Sequence, residues 1–424
     1  MNSHSLSENP NSAGRTGFFG STTPHELVAR FGSPLYVYNE SILRARCREL
    51  TGLVTYKKFR VNYSAKANTN PALLKIIRSE GLLVDAMSPG EIHLEMMAGY
   101  SPDEILYIGN NVSDEEFRFA IDTGVTVSVD SISQLARFGR LNRGGKVAVR
   151  INPGVGAGHH EKVITGGKKT KFGIDPIFTD ELKAVIHEYD LHLAGLNQHI
   201  GSLFLTPDAY GEAVRFLLSY AEQFSELEFL DFGGGFGIPY RKEEGEERLD
   251  LAATGAMLQK LIDEWVSETG RNITFKIEPG RYTVAECGVL LGTVHAIKMN
   301  GGNKYIGTDL GFNVLARPVM YEAHHDIEVY GSSANTNTRE PVTVVGNICE
   351  TGDIIAKNRL LPPVAEGDIV GVLDAGAYGM VMSSNYNCRL RPAEVLITEA
   401  GDPVLIRERD TFEDLARKYI IGDV

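Results

Sequence analysis

The chain has 424 residues, 43% hydrophobic and 23% charged, the balance of a soluble globular protein with room for two domains or three. Its 42 basic and 55 acidic residues leave a net charge of −13, which argues against non-specific nucleic-acid binding and against docking on an anionic membrane. No apolar run approaches the length of a membrane-spanning helix, so no membrane partner is expected.

In chain order, residues 1–20 are rich in Ser, Asn and Gly and read as a disordered tail rather than a signal peptide. Pro34–Tyr38 reads as a strand ahead of the main pattern, and residues 21–45 are expected to contribute it to a later β domain. Eight short apolar runs then alternate with helix-length material: Phe59–Ala67, Leu82–Ser88, Ile105–Asn110, Thr126–Asp130, Lys146–Asn152, Leu193–Gly201, Phe229–Gly235 and Thr274–Gly280. Most are apolar on both faces, as buried parallel strands are. Pro71–Glu80, Gly90–Ala98, Asp114–Asp122 and Ser131–Gly139 read as helices, several opened by a capping Asp or Ser. Eight βα units over residues 46–283 predict an α/β fold, a (β/α)8 barrel. The longer gaps after Asn152 and after Gly237 are expected to be active-site loops or extra helices. Residues 284–424 change pattern. Strand-like runs at Gly288–Lys298, Tyr305–Thr308, Pro341–Val345, Ile369–Leu373 and Ala393–Thr398 predict a C-terminal, mostly-β domain.

Cys47, Cys287, Cys349 and Cys388 are far apart and lack CxxC spacing. Neither a zinc site nor a disulfide framework is indicated, no metal is expected, and a cytoplasmic setting fits.

Reactive groups in such barrels sit at the C-terminal strand ends. Here those ends carry Lys66, Asp85, Ser88, Asn110, Asp130, Arg150, Asn152, His199, Ser202, Gly233–Gly235 and Glu278. A lysine there is either a snorkelling surface residue or, turned into a pocket, an amine nucleophile toward carbonyl compounds. Asp231–Gly237 is a tight βα turn or an anion cradle of converging backbone N–H groups, and its spacing is not the dinucleotide fingerprint. Beside such a lysine and cradle, Glu278 suits the ring nitrogen of a pyridine cofactor. His199 offers a flat face to the ring, and Ser202 a hydroxyl to its phosphate. As bare patterns, Cys349–Asp353 and Asp374–Gly379 read as turns, one with a thiol and one with a phenol.

The motifs Tyr-Ser-Ala-Lys-Ala-Asn, His-Ile-Gly-Ser, Gly-Gly-Gly-Phe-Gly, Glu-Pro-Gly-Arg, Cys-Glu-Thr-Gly-Asp and Gly-Ala-Tyr-Gly run together through this chain. So does the ending Ser383-Ser384-Asn385-Tyr386-Asn387 with Arg391-Pro392-Ala393-Glu394. With them the chain resembles the fold-type III pyridoxal-phosphate decarboxylases, which join an alanine-racemase-like barrel to a β domain. Within that group it is similar to the diaminopimelate decarboxylase branch.

The resemblance implies pyridoxal 5'-phosphate carried on Lys66, with His199 on the ring, Glu278 at its nitrogen and Asp85 near the lysine. It implies that Ser202, Gly233, Gly234 and Gly235, with Glu278, Pro279, Gly280 and Arg281, hold the phosphate. Arg281, Arg317 and Tyr321 would bind an amino-acid substrate, Glu350 its distal amine, and Tyr378 would lie between cofactor and substrate. Cys349 would donate a proton, reaching the site from the other subunit of a homodimer with shared active sites.

Pro89 stands where the family often has Gly, and Leu203-Phe204 follow the His-Ile-Gly-Ser run where Gln is common. Two alternatives remain: a sister decarboxylase of ornithine, arginine, lysine or carboxynorspermidine, and a catalytically inactive regulatory homologue. The joint presence of Arg281, Arg317 and Glu350 favours a substrate with an amino and a carboxyl group at its far end.

Overall fold

Apolar runs flanked by polar turns become strands where both faces can be covered, and the helices between them cover the outside. The computed structural model describes residues 17–154, 170–331 and 338–420. In chain order these give α1 (Pro24–Phe31), β1 (Leu35–Asn39), α2 (Glu40–Thr51), β2 (Phe59–Ser64), α3 (Pro71–Ser79), β3 (Leu83–Ala86), α4 (Pro89–Met97), β4 (Ile105–Tyr107) and α5 (Asp114–Thr123). Then follow β5 (Thr126–Val129), α6 (Ile132–Leu141), β6 (Lys146–Arg150), α7 (Thr179–Glu188), β7 (His192–Asn197), α8 (Asp208–Ala221), β8 (Phe229–Asp231), α9 (Leu251–Thr269) and β9 (Thr274–Ile277).

Strands β2 to β9 pair in sequence order and close into a barrel. Every pair is parallel, and Phe59 opposite Phe275 closes the ring. The expected (β/α)8 barrel is therefore present. Ser113, Ser131 and Asp250 cap α5, α6 and α9 with their side-chain oxygens. Gly195 is needed for packing, since a Cβ there would lie 2.3 Å from the ring of Phe229.

The rest of the chain forms α10 (Arg281–Val284), β10 (Gly288–Asn300), β11 (Asn303–Thr308), α11 (Arg317–Tyr321), β12 (Ile327–Tyr330), β13 (Glu340–Val345), β14 (Ile354–Leu361), β15 (Ile369–Val372), β16 (Ala393–Ile397), β17 (Pro403–Arg407) and α12 (Phe412–Ala416). Its sheet runs β14-β13-β11-β10-β1-β16-β17, with β15 against β10 and β12. β1 lies parallel to β16 and antiparallel to β10. Sequence reasoning missed β12, β14 and β17. β12 and β14 are interrupted by charges, and β17 is a short, largely exposed Val-Leu-Ile run, so none reads as a buried strand.

Two compact units emerge. One holds residues 44–239 and 247–283; the other holds the chain up to residue 43, Tyr240–Glu246 and everything from Val284 onward. Two expectations are corrected here. The range 46–283 gives up Tyr240–Glu246, because Lys242 is drawn into a buried ion cluster of the β unit. The tail expected over 1–20 ends earlier: Phe18 and Phe19 are buried in the β-unit core with Leu35, Val37, Val289 and Val395, and Asn39 Nδ2 donates to the Phe18 carbonyl at 2.9 Å. Residues 1–16 lie outside the described residues, as does 155–169 in the gap after Asn152.

Candidate active site

Strand β2 stops pairing with β3 at Ser64 opposite Asp85, and the chain turns at once into one 3-10 turn, Ala65–Ala67. Lys66 therefore sits on that turn, not within the strand as the apolar run suggested. The Asn68 N–H donates back to the Ala65 carbonyl and fixes the turn. Ser64 Oγ donates to Asp85 Oδ2 at 3.1 Å. Asp85 is fully buried. Burial pushes it up to about 8, against the opposing Lys66 ammonium, and Glu91 and Asp231 add to the rise. Glu91 accepts the Met87 N–H at 2.7 Å and is also raised by burial. Lys66 thus interacts with Asp85 and Glu91 as well as with Glu278.

Glu278 follows β9 and is buried, with Oε1 lacking a hydrogen-bond partner. Burial raises it well above the usual carboxylate range, Asp231 and Asp85 reinforce this, and Lys66 and Arg150 oppose it. Asp231 is raised chiefly by burial, while Lys276 and a hydrogen bond from Glu278 pull it back. Glu278 is therefore the proton-bearing member of this carboxyl pair. Lys276 Nζ sits 4.4 Å from the centroid of the Phe229 ring, and burial pulls its ammonium down.

The turn after β8 is built for glycine. Gly233 and Gly235 have φ of +75° and +107°, and a Cβ on Gly233 or Gly234 would meet the carbonyl oxygen of Gln198 or Glu278 at 2.1 or 2.0 Å. The backbone is left bare there. The Gly234 N–H donates to His199 Nδ1 at 3.1 Å. Burial holds His199 well below its usual range, helped by Lys66 and Arg150, so the ring is neutral with its proton on Nε2. Arg281 Nη2 donates to Ser202 Oγ at 3.0 Å, tying the Glu-Pro-Gly-Arg run to the His-Ile-Gly-Ser run.

Other strand-end residues serve the scaffold. Ser88 caps α4 through the Glu91 N–H. Asn110 donates to Asp130, and Asn152 donates to the Phe172 carbonyl. Arg150 is buried with its guanidinium 4.8 Å from the Phe172 ring centroid and Nη2 without a partner.

The β unit carries the second group of expected residues. Arg317 opens α11 and is buried; its Nη1 donates to His325 Nε2 at 2.7 Å, and its guanidinium lies 4.5 Å from the Tyr240 ring centroid. Tyr321 closes the same helix. Cys349 is exposed, and its N–H donates to Asn387 Oδ1 at 2.9 Å. Tyr386 donates to Glu350 Oε1 at 2.6 Å. Tyr378 has φ of +55°, a left-handed backbone that a bulky residue rarely adopts. All four cysteines are free. Among the described residues no group of three or more His, Cys, Asp or Glu could hold a metal ion, and no helix is long and apolar enough to cross a membrane.

Glu91, Tyr240, Lys242 and Glu95 were not singled out from the sequence. Lys242 lies in Arg-Lys-Glu-Glu, a run that reads as a solvated loop. Glu95 gave a signal: at the helical spacing of i and i+3 it shares the inward face of α4 with Ile92.

Residues 41–285 match the family model described as pyridoxal-dependent decarboxylase, pyridoxal binding domain. The chain is 43% identical over 401 residues to a diaminopimelate decarboxylase of Methanothermobacter thermautotrophicus, covering 92% of each. A crystal structure of diaminopimelate decarboxylase superposes with a TM-score of 0.87 at 31% identity, over 94% of this chain and 98% of that one. The enzyme from M. jannaschii, crystallised in complex with L-lysine, gives 0.85 at 33% identity over 94% of each chain. Barrel, β unit and sequence agree over nine-tenths of the length, and the chain belongs to the diaminopimelate decarboxylase family of pyridoxal-dependent decarboxylases.

Proposed function

We propose that this chain removes CO2 from meso-2,6-diaminopimelate and releases L-lysine, with pyridoxal 5'-phosphate bound at the mouth of the barrel. One observation carries the reading: a buried Glu278 oxygen without a partner, in one cluster of interacting charges with Lys66.

The residues fit the cofactor. Glu278 offers the unsatisfied oxygen a ring nitrogen needs, the turn at Gly233–Gly235 exposes bare backbone for a phosphate, and Lys66 offers an amine for the carbonyl. When bound, the cofactor supplies a sink for the electron pair left behind as CO2 departs. Glu278 would hold a proton at the ring nitrogen, and Asp231 keeps Glu278 from ionising alone. Neutral His199, locked by the Gly234 N–H, presents a flat face without adding a competing charge. Ser202, oriented by Arg281, and the backbone of Pro279 and Gly280 complete the phosphate end. Asp85 and Glu91 flank the Lys66 amine.

For the substrate, Arg281, Arg317 and Tyr321 take the far carboxylate, Glu350 the far amine, and Tyr378 lies against the reacting end. Cys349 gives a proton to Cα. By the family resemblance Cys349 would come from the neighbouring subunit of a homodimer, and its exposure in the single chain supports that reading. Four free cysteines suit a cytoplasmic enzyme.

The test is CO2 release from meso-diaminopimelate against ornithine, arginine and lysine. Release from diaminopimelate alone is expected. Faster release from any of the other three would reassign the chain to a sister enzyme. Borohydride treatment should leave a pyridoxyl group on Lys66, and none in Lys66→Ala; a pyridoxyl group retained on another lysine would remove Lys66 from the role.

A further inference from the structure

Between β8 and α9 the chain leaves the barrel sequence for seven residues, Tyr240–Glu246, which belong to the β unit. The segment closes on itself: one Glu246 oxygen accepts the N–H groups of Tyr240 and Arg241 at 2.7 and 3.0 Å, and Lys242–Glu244 forms a 3-10 turn ended by left-handed Gly245.

One inward side chain, Tyr240, reaches Arg317, and the other, Lys242, reaches Asp374 at the start of the turn that leads to Tyr378. Tyr240 lays its ring against the Arg317 guanidinium and meets the His325 ring edge-on at 5.2 Å. His325 Nδ1 donates to the Leu373 carbonyl at 2.7 Å, so its Nε2 is free of a proton and accepts from Arg317. Lys242 Nζ reaches Asp374 Oδ1 and Oδ2 at 2.8 and 2.9 Å and Glu286 Oε1 at 3.1 Å, and both carboxylates are fully buried. Burial alone would lower the Lys242 ammonium; Asp374 and Glu286 outweigh it and hold it above its usual range. The Lys242 N–H donates to Asp326, whose carbonyl accepts the Leu373 N–H. Asp374 then opens the turn that ends at Tyr378, and both residues carry φ of +55°. A left-handed backbone at two non-glycine residues is held only where the surroundings over-determine it. The strap supplies that constraint at Asp374.

We propose that the strap Tyr240–Glu246 is a positioning element for the substrate: Tyr240 fixes the plane of Arg317 at the far end, and Lys242 fixes the turn that presents Tyr378 at the reacting end. Neither residue touches the substrate. The proposal rests on the functional reading above for the roles of Arg317 and Tyr378.

L-Lysine keeps the far amino and carboxyl groups of diaminopimelate, whereas cadaverine lacks any carboxyl group, and this difference makes the test. The holoenzyme and its Tyr240→Leu and Lys242→Gln variants are first checked for a cooperative thermal transition. KM for diaminopimelate and inhibition by L-lysine and by cadaverine are then measured. In Tyr240→Leu, KM and the lysine inhibition constant should each rise about tenfold, with kcat within about threefold and cadaverine inhibition within about twofold; tenfold corresponds to about 1.4 kcal/mol. Lys242→Arg should recover much of the lysine affinity lost in Lys242→Gln. Unchanged lysine inhibition in a folded Tyr240→Leu or Lys242→Gln protein would overturn the proposal, and so would equal weakening of lysine and cadaverine in Tyr240→Leu. If neither substitution leaves a folded protein, Tyr240→Trp, which retains an aromatic face, decides: it must fold and keep the wild-type lysine inhibition constant within about threefold. A wild-type protein that binds lysine but releases no CO2 from diaminopimelate would defeat the functional reading alone, and lysine affinity would still decide the strap.

Discussion

Glu95 is a costly side chain in the barrel unit. It is 0% exposed, and neither carboxyl oxygen has a hydrogen-bond partner. Burial pushes it up to about 9, with Asp85 and Glu91 adding to the effect. A carboxyl raised this way binds its proton in the folded chain and releases it in the unfolded chain at ordinary pH. Its penalty is absent below the usual carboxylate range, grows as pH rises from there to about 9, and is constant above. Stability should therefore fall with rising pH across that window, by at most about 1.4 kcal/mol per pH unit from this group. Glu95→Gln should melt increasingly above the wild type as pH is raised from 5 to 9; parallel melting curves would show that Glu95 does not hold its proton. Glu278 gives a second expectation. Glu278→Gln should keep the fold and the pyridoxyl adduct while turnover drops on the order of tenfold to a thousandfold, the cost of a few kcal/mol at the ring nitrogen. Full turnover with saturated cofactor would place the carboxyl away from the ring.

At the scale of elements, the loop after β8 and the loop after β9 are interlocked by glycine. Gly234 passes so close to the Glu278 carbonyl that a Cβ has no room, and the Glu278 N–H donates to the Gly233 carbonyl. Gly234→Ala should push these two strand ends apart. A lowered melting temperature and poor cofactor uptake, read as pyridoxal content per chain, are expected; normal uptake would show that the turn yields cheaply. The barrel strands were legible because burial on both faces writes continuous apolar runs. The cradle was legible because only glycine tolerates its geometry. β12 and β14 were not, since a half-exposed strand broken by charges looks like a loop, and β17 was not, since its apolar run is only three residues long. Phe18 and Phe19 were lost in a tail of Ser, Asn and Gly, where two aromatics do not outweigh the local composition. The strap was lost for another reason: Lys242 is charged because its partners Glu286 and Asp374 are, and they lie far along the sequence.

At the scale of the whole molecule, the proposed dimer makes a quantitative claim. If Cys349 serves the site of the neighbouring subunit, Lys66→Ala and Cys349→Ala should each be nearly inactive. Mixed under conditions that exchange subunits, half the dimers become heterodimers with one intact site of two, restoring about a quarter of wild-type activity. No recovery after proven exchange would assign Cys349 to its own chain's site. A different consequence follows from β1. Leu35 pairs with Leu291 on one side and with Ala393 on the other, so an interior strand of the sheet is made first and completed almost last. On the ribosome, the barrel has all its strands once Ile277 has emerged. β1, buried along its whole length, must still wait for both neighbours. At about 5–20 residues per second that wait lasts on the order of tens of seconds, with two bare backbone edges open to wrong pairing. Newly made chains should therefore lean on chaperones in proportion to how slowly the second half is translated.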